Sequence, residues 1–543
     1  MHSAFNMRAR ILLAWLCTCA SAPAQDSRPA PAYDLLIAGG SVVDGSGAPA
    51  RRADVAVSGA RIAAVGELAG ATARIVLRAD GLAVAPGFVD VHVHADGDVL
   101  QAPRARNFVA MGVTTMITGN CGGSVTDLAK HLDAVAAKGV AVNYGSLIGA
   151  GTVREQVLRY ARRAPRPEEL ARMQELVRGG MAAGAFGLST GLIYVPGSYA
   201  RQDELVALAR VVAETGGVYA SHIRSENDAI LAAIDEALAI GKAAGIPVHV
   251  SHLKNSGKTN WGRSREVVER LRAARAAGQA VTGDVYAYPA SSTGLSVLFP
   301  EAALEIGPKA FAERLDADPA FRKEMHAALR QTMVRVGFGD FSYAYLATVP
   351  GNPDLEGMTV AAAAELRGLG KDPDAQAELV LRLTAAAKGR RIGMVYHTMA
   401  EPDLLAYLAE PYVAIASDAG IRGEGSGRPH PRGNGNNPRV LGRYVREQKV
   451  LSLPEAVRRM TTLPCAAFGI EGRGRIAAGM FADLVVFDPA AVRDLATYEA
   501  PLRAPEGIPH VVVNGVLVVE QGRHTDALPG MVLRRNAAQT GGR

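Results

Sequence analysis

From residue 86 to about 420 the chain alternates two textures. Short runs of β-branched and small apolar residues give way to longer segments whose apolar residues recur every three or four positions. The runs are Val89–His94, Thr114–Asn120, Val142–Gly149, Ala185–Thr190, Val218–Ile223, Val248–Leu253, Val281–Tyr288 and Val413–Asp418. Runs of this length read as buried strands, and segments such as Asp228–Ala243 and Arg265–Ala277 carry helical spacing. About eight strand-then-helix units predict an α/β protein built on a (β/α)8 TIM-like barrel. An open doubly wound sheet is the alternative. The barrel is preferred because polar residues gather at the end of nearly every run, where barrel sites lie. The interval between the seventh and eighth runs is too long for one helix. Residues 298–389, rich in Ala, Leu and Glu, are therefore expected to form a largely helical insertion after strand seven.

The two ends have another pattern. Residues 34–44 and 54–66 alternate β-branched and polar residues around Gly/Ser turns, and residues 474–488 and the run from His510 do the same, the latter around Asn514-Gly515. Residues 33–85 and 475–535 are expected to form one small β-sandwich domain from both chain ends, with the barrel spanning 86–474.

Hydrophobic residues make up 48% of the 543 and charged residues 21%, which suits a large core and argues against disorder. The net charge of +6 is spread along the chain, and no basic block or aromatic-interleaved patch points to nucleic acid. Arg8 and Arg10, the apolar stretch Ile11 to Leu16, and Ala22-Pro23-Ala24 before Gln25 read as a secretory signal over residues 1–24. A periplasmic or secreted protein is expected. An uncleaved anchor, a start at Met7 and lipidation at Cys19 are the alternatives, the last disfavoured by Thr18 where a small residue is usual. No later stretch is long and apolar enough to span a membrane. With Cys17 and Cys19 in the leader, only Cys121 and Cys465 remain, so this is no disulfide scaffold.

The chemistry sits at the run ends. The first run ends in His92-x-His94, the second in Asn120-Cys121-Gly122-Gly123, and the fifth in Ser221-His222-Ile223-Arg224-Ser225-Glu226. The sixth ends in Ser251-His252-Leu253-Lys254 and the eighth in Ser417-Asp418. On a strand, positions i and i+2 share a face, so His92 and His94 are expected to face one ion. Imidazoles, one thiolate and one carboxylate form a ligand set suited to Zn2+, and ligands drawn from five separate strands suit an open catalytic site. His249 stands at odd spacing from His252, so it is expected outside the barrel. His397, His131, His326, His510 and His524 are read as structural or solvated, and Cys465 as a small packed hydrophobe.

Pro86-Gly-Phe-Val-Asp-Val-His-Val-His94 resembles the first metal motif of the amidohydrolase superfamily. The closer resemblance is to the N-acyl-D-amino-acid deacylase (D-aminoacylase) family. It is carried by Gly119-Asn-Cys-Gly122, Gly187–Tyr194, Ser221–Glu226, Val250–Lys254, Arg428-Pro-His-Pro-Arg432 and Pro438–Gly442, and it covers nearly all of the mature chain. The resemblance implies zinc-dependent hydrolysis of N-acyl-D-amino acids. The fourth run has no lysine to bridge two metals, which leaves Cys121 as the available soft donor. By similarity, Cys121, His222 and His252 hold one tight zinc, His92, His94 and Asp418 line a second, weaker position, and Asp418 is the catalytic base. Lys254, Arg432 and one of Tyr286 and Tyr288, with Tyr286 favoured, are assigned to the substrate carboxylate; Tyr194 joins them as a substrate contact. Ala287 and Ala150 stand where the family often has Pro and His. Arg224 and Glu226 are read either as orienters of His222 or as a surface ion pair. A cyclic-amide or D-dipeptide hydrolase is the rival enzyme, and a metal-containing binding protein without turnover the remote one. The expected partner is a small N-acyl amino acid; the oligomeric state is not legible.

Overall fold

The computed structural model describes residues 32–423, 425 and 427–535. The proposed leader lies outside the described residues. Each of the eight apolar runs overlaps a strand: Phe88–Asp90, Val113–Thr118, Asn143–Ser146, Gly187–Gly191, Val218–His222, Val248–Val250, Val281–Val285 and Val413–Ile415. They pair in parallel in chain order, the third continuing through Ile148–Gly149 to reach the fourth. The ring closes beyond the strand ends: Val93 bridges Ala419 in parallel, and the Asp418 amide donates to the His92 carbonyl at 2.9 Å. The closing hydrogen bond therefore runs between two of the expected metal ligands.

The helices between strands bury their apolar stripe against this ring. In Ile230–Ala244 the buried residues Ile230, Ala233, Ile234, Ala237, Ile240 and Ala244 recur at three- and four-residue steps. The helix stops at Gly245, whose φ of +67° a side chain would resist. The barrel floor is packed by Val91, Ile117, Phe186, Phe468 and Ile470.

Both chain ends join one nine-stranded sheet, the seam being Ala83–Pro86 antiparallel to Leu484–Phe487. The Asn514-Gly515 turn is present, with both residues at positive φ as a tight hairpin turn demands. The inserted segment departs from the helical expectation. Alongside helices such as Pro319–Arg335 and Pro373–Ala387 it carries a three-stranded antiparallel sheet, Ser291–Gly294, Gly393–Tyr396 and Ala344–Thr348. That sheet begins only a few residues after the seventh barrel strand, so it plants the insertion on the barrel rim. The insertion has its own core around Phe311, Met325, Leu346 and Val380. Among the described residues no helix is long and apolar enough to cross a membrane.

Candidate metal centre

The expected ligands converge on the C-terminal rim of the barrel. Their donor atoms form three overlapping groups, each within 4.8 Å: His92, His94 and Cys121; Cys121, His222 and His252; His92, His252 and Asp418. The Cys121 Sγ lies 3.3 Å from His92 Nε2 and 3.4 Å from His252 Nε2. The His94 Nε2 is 3.1 Å from Asp418 Oδ1.

Most of these side chains stand past the strands, not on them. Regular pairing of the first strand ends at Asp90, yet Val93 keeps the chain extended and the two imidazoles come within 5.4 Å of each other. Cys121, His252 and Asp418 hold φ values of +52°, +35° and +51°. Non-glycine residues rarely adopt this region, and each such residue stores about 1–3 kcal/mol. Packing holds the strained Cys121 loop: an added Cβ at Gly119 would sit 2.3 Å from the Leu147 carbonyl oxygen, and one at Gly122 2.7 Å from the Gly191 nitrogen.

Beneath the donors lies a buried polar layer. The Asp284 Oδ2 is 3.2 Å from His92 Nδ1 and 2.8 Å from His249 Nε2, while its Oδ1 accepts the His252 amide at 2.9 Å. His249 is therefore inside the barrel, against the expectation that placed it outside. Odd spacing separates two faces only along one continuous strand; here the strand ends at Val250 and the positive φ of His252 turns its ring inward. Burial alone would push the Asp284 carboxyl up, but the flanking His92 and His249 hold it well below the usual range. Asp284→Asn is expected to weaken metal retention by about 10–100-fold, read by titration with a chelator, because it loosens the ring that it orients.

Glu226 has a similar task on the other side. Its Oε1 lies 3.1 Å from His252 Nδ1 and 3.6 Å from His222 Nε2, and it pairs with Lys254. The Lys254 ammonium also meets His252 Nδ1 at 2.7 Å, so it is part of the ligand support as well as a cation at the rim. Arg224 turns away: its guanidinium holds Glu236 at 2.9 Å and the carbonyls of Ser198 and Ala200. Arg224 pairs with Glu236 and Glu226 with Lys254, not with each other, and of the two it is Glu226 that stands against the ligand rings.

Arg432 reaches Asp418 Oδ2 at 2.9 Å and stacks over the Tyr286 ring at 4.3 Å. Burial would raise the Asp418 carboxyl, yet Arg432, His92 and His252 hold it well below the usual range. Tyr288, the alternative to Tyr286, is otherwise engaged. Its hydroxyl donates to Asp494 at 2.9 Å and its ring stacks under Arg439, so it braces the loop instead. The Ala287 amide donates to Asn436 Oδ1 at 2.8 Å, a bond that proline could not make. Tyr194 packs edge-on to His222, 5.0 Å between ring centres, with its hydroxyl accepting from Thr293 at 3.0 Å. His397 packs against Tyr345 and Tyr498.

His430 was not anticipated as part of the site. Its Nε2 donates to the Ala290 carbonyl at 2.9 Å and its Nδ1 accepts the Arg432 amide at 3.0 Å, which pins Arg432 to the inserted strand. Acceptance at Nδ1 requires a neutral ring. Burial, then the Arg432 cation, hold its pKa well below the usual histidine range. An unfolded histidine titrates near 6.5, so below about pH 6.5 the unfolded chain binds the extra proton. The stability this implies is present above that pH and lost on acidification, by up to about 1.4 kcal/mol per pH unit from this one group. Urea unfolding from pH 7 to 5 is expected to show a shallower acid slope in His430→Gln than in the native chain.

The donor chemistry fits a metal. Both nitrogens of the buried His222 lack a hydrogen-bond partner among the described residues, leaving the ring open to an ion. Burial would push the Cys121 thiol up, but His92 and His252 hold it well below the usual range, toward the thiolate that a metal requires. A thiolate, imidazoles and a carboxylate converging on an open rim form a donor set of Zn2+.

Comparison with known proteins agrees with this geometry. The Amidohydrolase family profile matches residues 76–338 and 354–519, and the chain belongs to that family of metal-dependent amide hydrolases. A D-aminoacylase of Alcaligenes xylosoxydans xylosoxydans is 38% identical over 94% of this chain and 99% of its own length. An N-acyl-D-glutamate deacylase of the same organism is 37% identical, covering 94% and 98%. The crystal structure of N-acyl-D-glutamate deacylase from Bordetella bronchiseptica, complexed with zinc and a phosphonate mimic of the tetrahedral intermediate, superposes with a TM-score of 0.78 at 36% identity, covering 92% of this chain and 99% of that one.

Proposed function

We propose that the chain is a zinc-dependent deacylase that hydrolyses N-acyl-D-amino acids to a carboxylate and a D-amino acid. The observation that carries this reading is Cys121 standing between two histidine groups, with Asp418 and Arg432 beside them. The zinc and phosphonate of the Bordetella bronchiseptica structure support it. Cys121, His222 and His252 would hold the tight ion, and His92, His94 and Asp418 would line a second, weaker position. Bound zinc supplies a Lewis acid that polarises an amide carbonyl and lowers the pKa of water to about 7.

The protein's own groups do the rest. Asp418, kept ionised by Arg432, takes a proton from the attacking water and returns it to the departing amine. Arg432 has further N–H groups for the substrate carboxylate, with the Tyr286 ring beneath to hold its plane. Lys254 adds positive charge at the same rim and, with Glu226, keeps the His252 ring turned to Cys121. The experiment is amine release from matched N-acetyl-D- and N-acetyl-L-amino acids with zinc supplied. Hydrolysis confined to the D series is expected. Turnover of neither series by zinc-loaded protein would reject the reading in favour of cyclic amides or D-dipeptides.

Export is part of the same proposal. Arg8, Arg10 and the apolar stretch before Ala22-Pro23-Ala24 support it. The mass of the protein recovered from the native cell is expected to match a chain beginning at Gln25.

A further inference from the structure

A cavity of about 780 Å³ lies between the barrel rim and the inserted segment. Tyr194 and Glu226 form its inner end, and both stand against the donor histidines, so the cavity opens on the metal centre. One wall begins at the strand Ser291–Gly294, where the Ser292 carbonyl accepts from Arg432 at 3.4 Å. Farther out the wall is Ile193, Val195, Val297, Leu298, Phe299 and Tyr343.

The charged residues of the lining are Arg224, Glu226, Glu301 and Arg335. Arg224 is held by Glu236 and two carbonyls, and Glu226 by Lys254. Glu301 and Arg335 are exposed to solvent. Among the described residues that line the cavity, none is a buried, uncommitted cation. Arg422, half-buried elsewhere on the rim, stands beside Asp98 and does not line it.

The relatives include a D-aminoacylase, a D-glutamate deacylase and a D-aspartate deacylase at nearly equal likeness, so likeness leaves the preferred side chain open. We propose that this cavity receives the side chain of the D-amino acid and selects large uncharged ones, aliphatic or aromatic. The proposal rests on the deacylase reading. The α-carboxylate and the side chain share one carbon. A carboxylate on Arg432 therefore sets the side chain against the wall that starts at Ser291. An apolar group there leaves water for matching surface, whereas an acidic group would be stripped of water against a wall whose arginines are either engaged, as Arg224 is, or out in solvent, as Arg335 is. A methyl side chain would leave most of the volume unused.

The test is kcat/KM for the zinc-loaded native enzyme on the N-acetyl-D forms of alanine, leucine, phenylalanine, glutamate and lysine, and on N-octanoyl-D-alanine. The leucine and phenylalanine substrates are expected to exceed the glutamate and lysine ones by about 100-fold or more. Val297→Trp, which fills the cavity, is expected to lower the phenylalanine-to-alanine ratio by about 10-fold. A lead for glutamate or lysine would overturn the proposal and leave the deacylase reading standing. So would a gain confined to the octanoyl chain, which would place the acyl group in the cavity, or an unchanged ratio in Val297→Trp. Turnover of none of these substrates would remove the deacylase reading, and this proposal with it.

Discussion

Asp418→Asn is expected to lower kcat by about 10²–10⁴-fold while leaving zinc bound at the cysteine position. The substitution keeps the shape and two heavy-atom contacts but removes the group that can accept a proton. Asp418 is suited to that role by its surroundings: Arg432 sits 2.9 Å from one oxygen and His94 3.1 Å from the other. Steady-state kinetics with metal analysis on the same sample checks the expectation. A variant that keeps both zinc and near-native kcat would remove Asp418 as the base. Loss of activity together with all zinc would make it foremost a ligand.

Cys121→Ala is the second large effect. Cys121 is the residue common to the group with His92 and His94 and to the group with His222 and His252. Its removal strips the one soft donor from both. Zinc retained after dialysis is expected to fall from about one ion per chain to near none, with activity falling by on the order of 10³-fold or more. Thermal unfolding in added zinc provides a separate reading. An ion that binds only the folded chain raises Tm, by about 2.7 kcal/mol of stability at a hundred times Kd. The native protein should show that rise and the variant should not. The strained φ of Cys121 permits a contrary effect in stability alone: Cys121→Gly would relieve backbone strain while losing the metal, so activity and apo-protein stability should move in opposite directions.

The barrel was legible because its strands are buried on both sides. Such strands appear as unbroken apolar runs, and each of the eight runs overlaps an observed strand. The donors were legible because each follows one of those runs. What misled was the assumption that a run and its strand end together. At the sixth run the strand stops at Val250, so counting alternation from His249 to His252 had no physical basis. Spacing likewise could not separate Tyr286 from Tyr288. Two residues apart past the strand, one lies under Arg432 and the other is bonded to Asp494, which comes from beyond the last barrel helix in sequence. Asp284 left a faint signal, a lone carboxylate within an apolar run; its use became visible only beside His92, 192 positions away. His430 stood within the motif Arg428–Arg432, but its role left no signal, since its partners are a carbonyl and an amide and backbone groups carry no sequence signature.

Sequence by itself determined the order of strands and helices, the β character of both ends and the kinds of donor available, because hydrophobic period and residue chemistry are local properties. Tertiary structure alone decided which of those donors share one space, which carboxylate orients which ring, and that an inserted sheet walls a cavity over the rim. Those depend on closure of the ring, where Asp418 meets His92 across the whole length of the barrel. They depend also on positive-φ turns that redirect a side chain by a few ångströms, a distance that separates a ligand from a bystander and that no periodicity encodes.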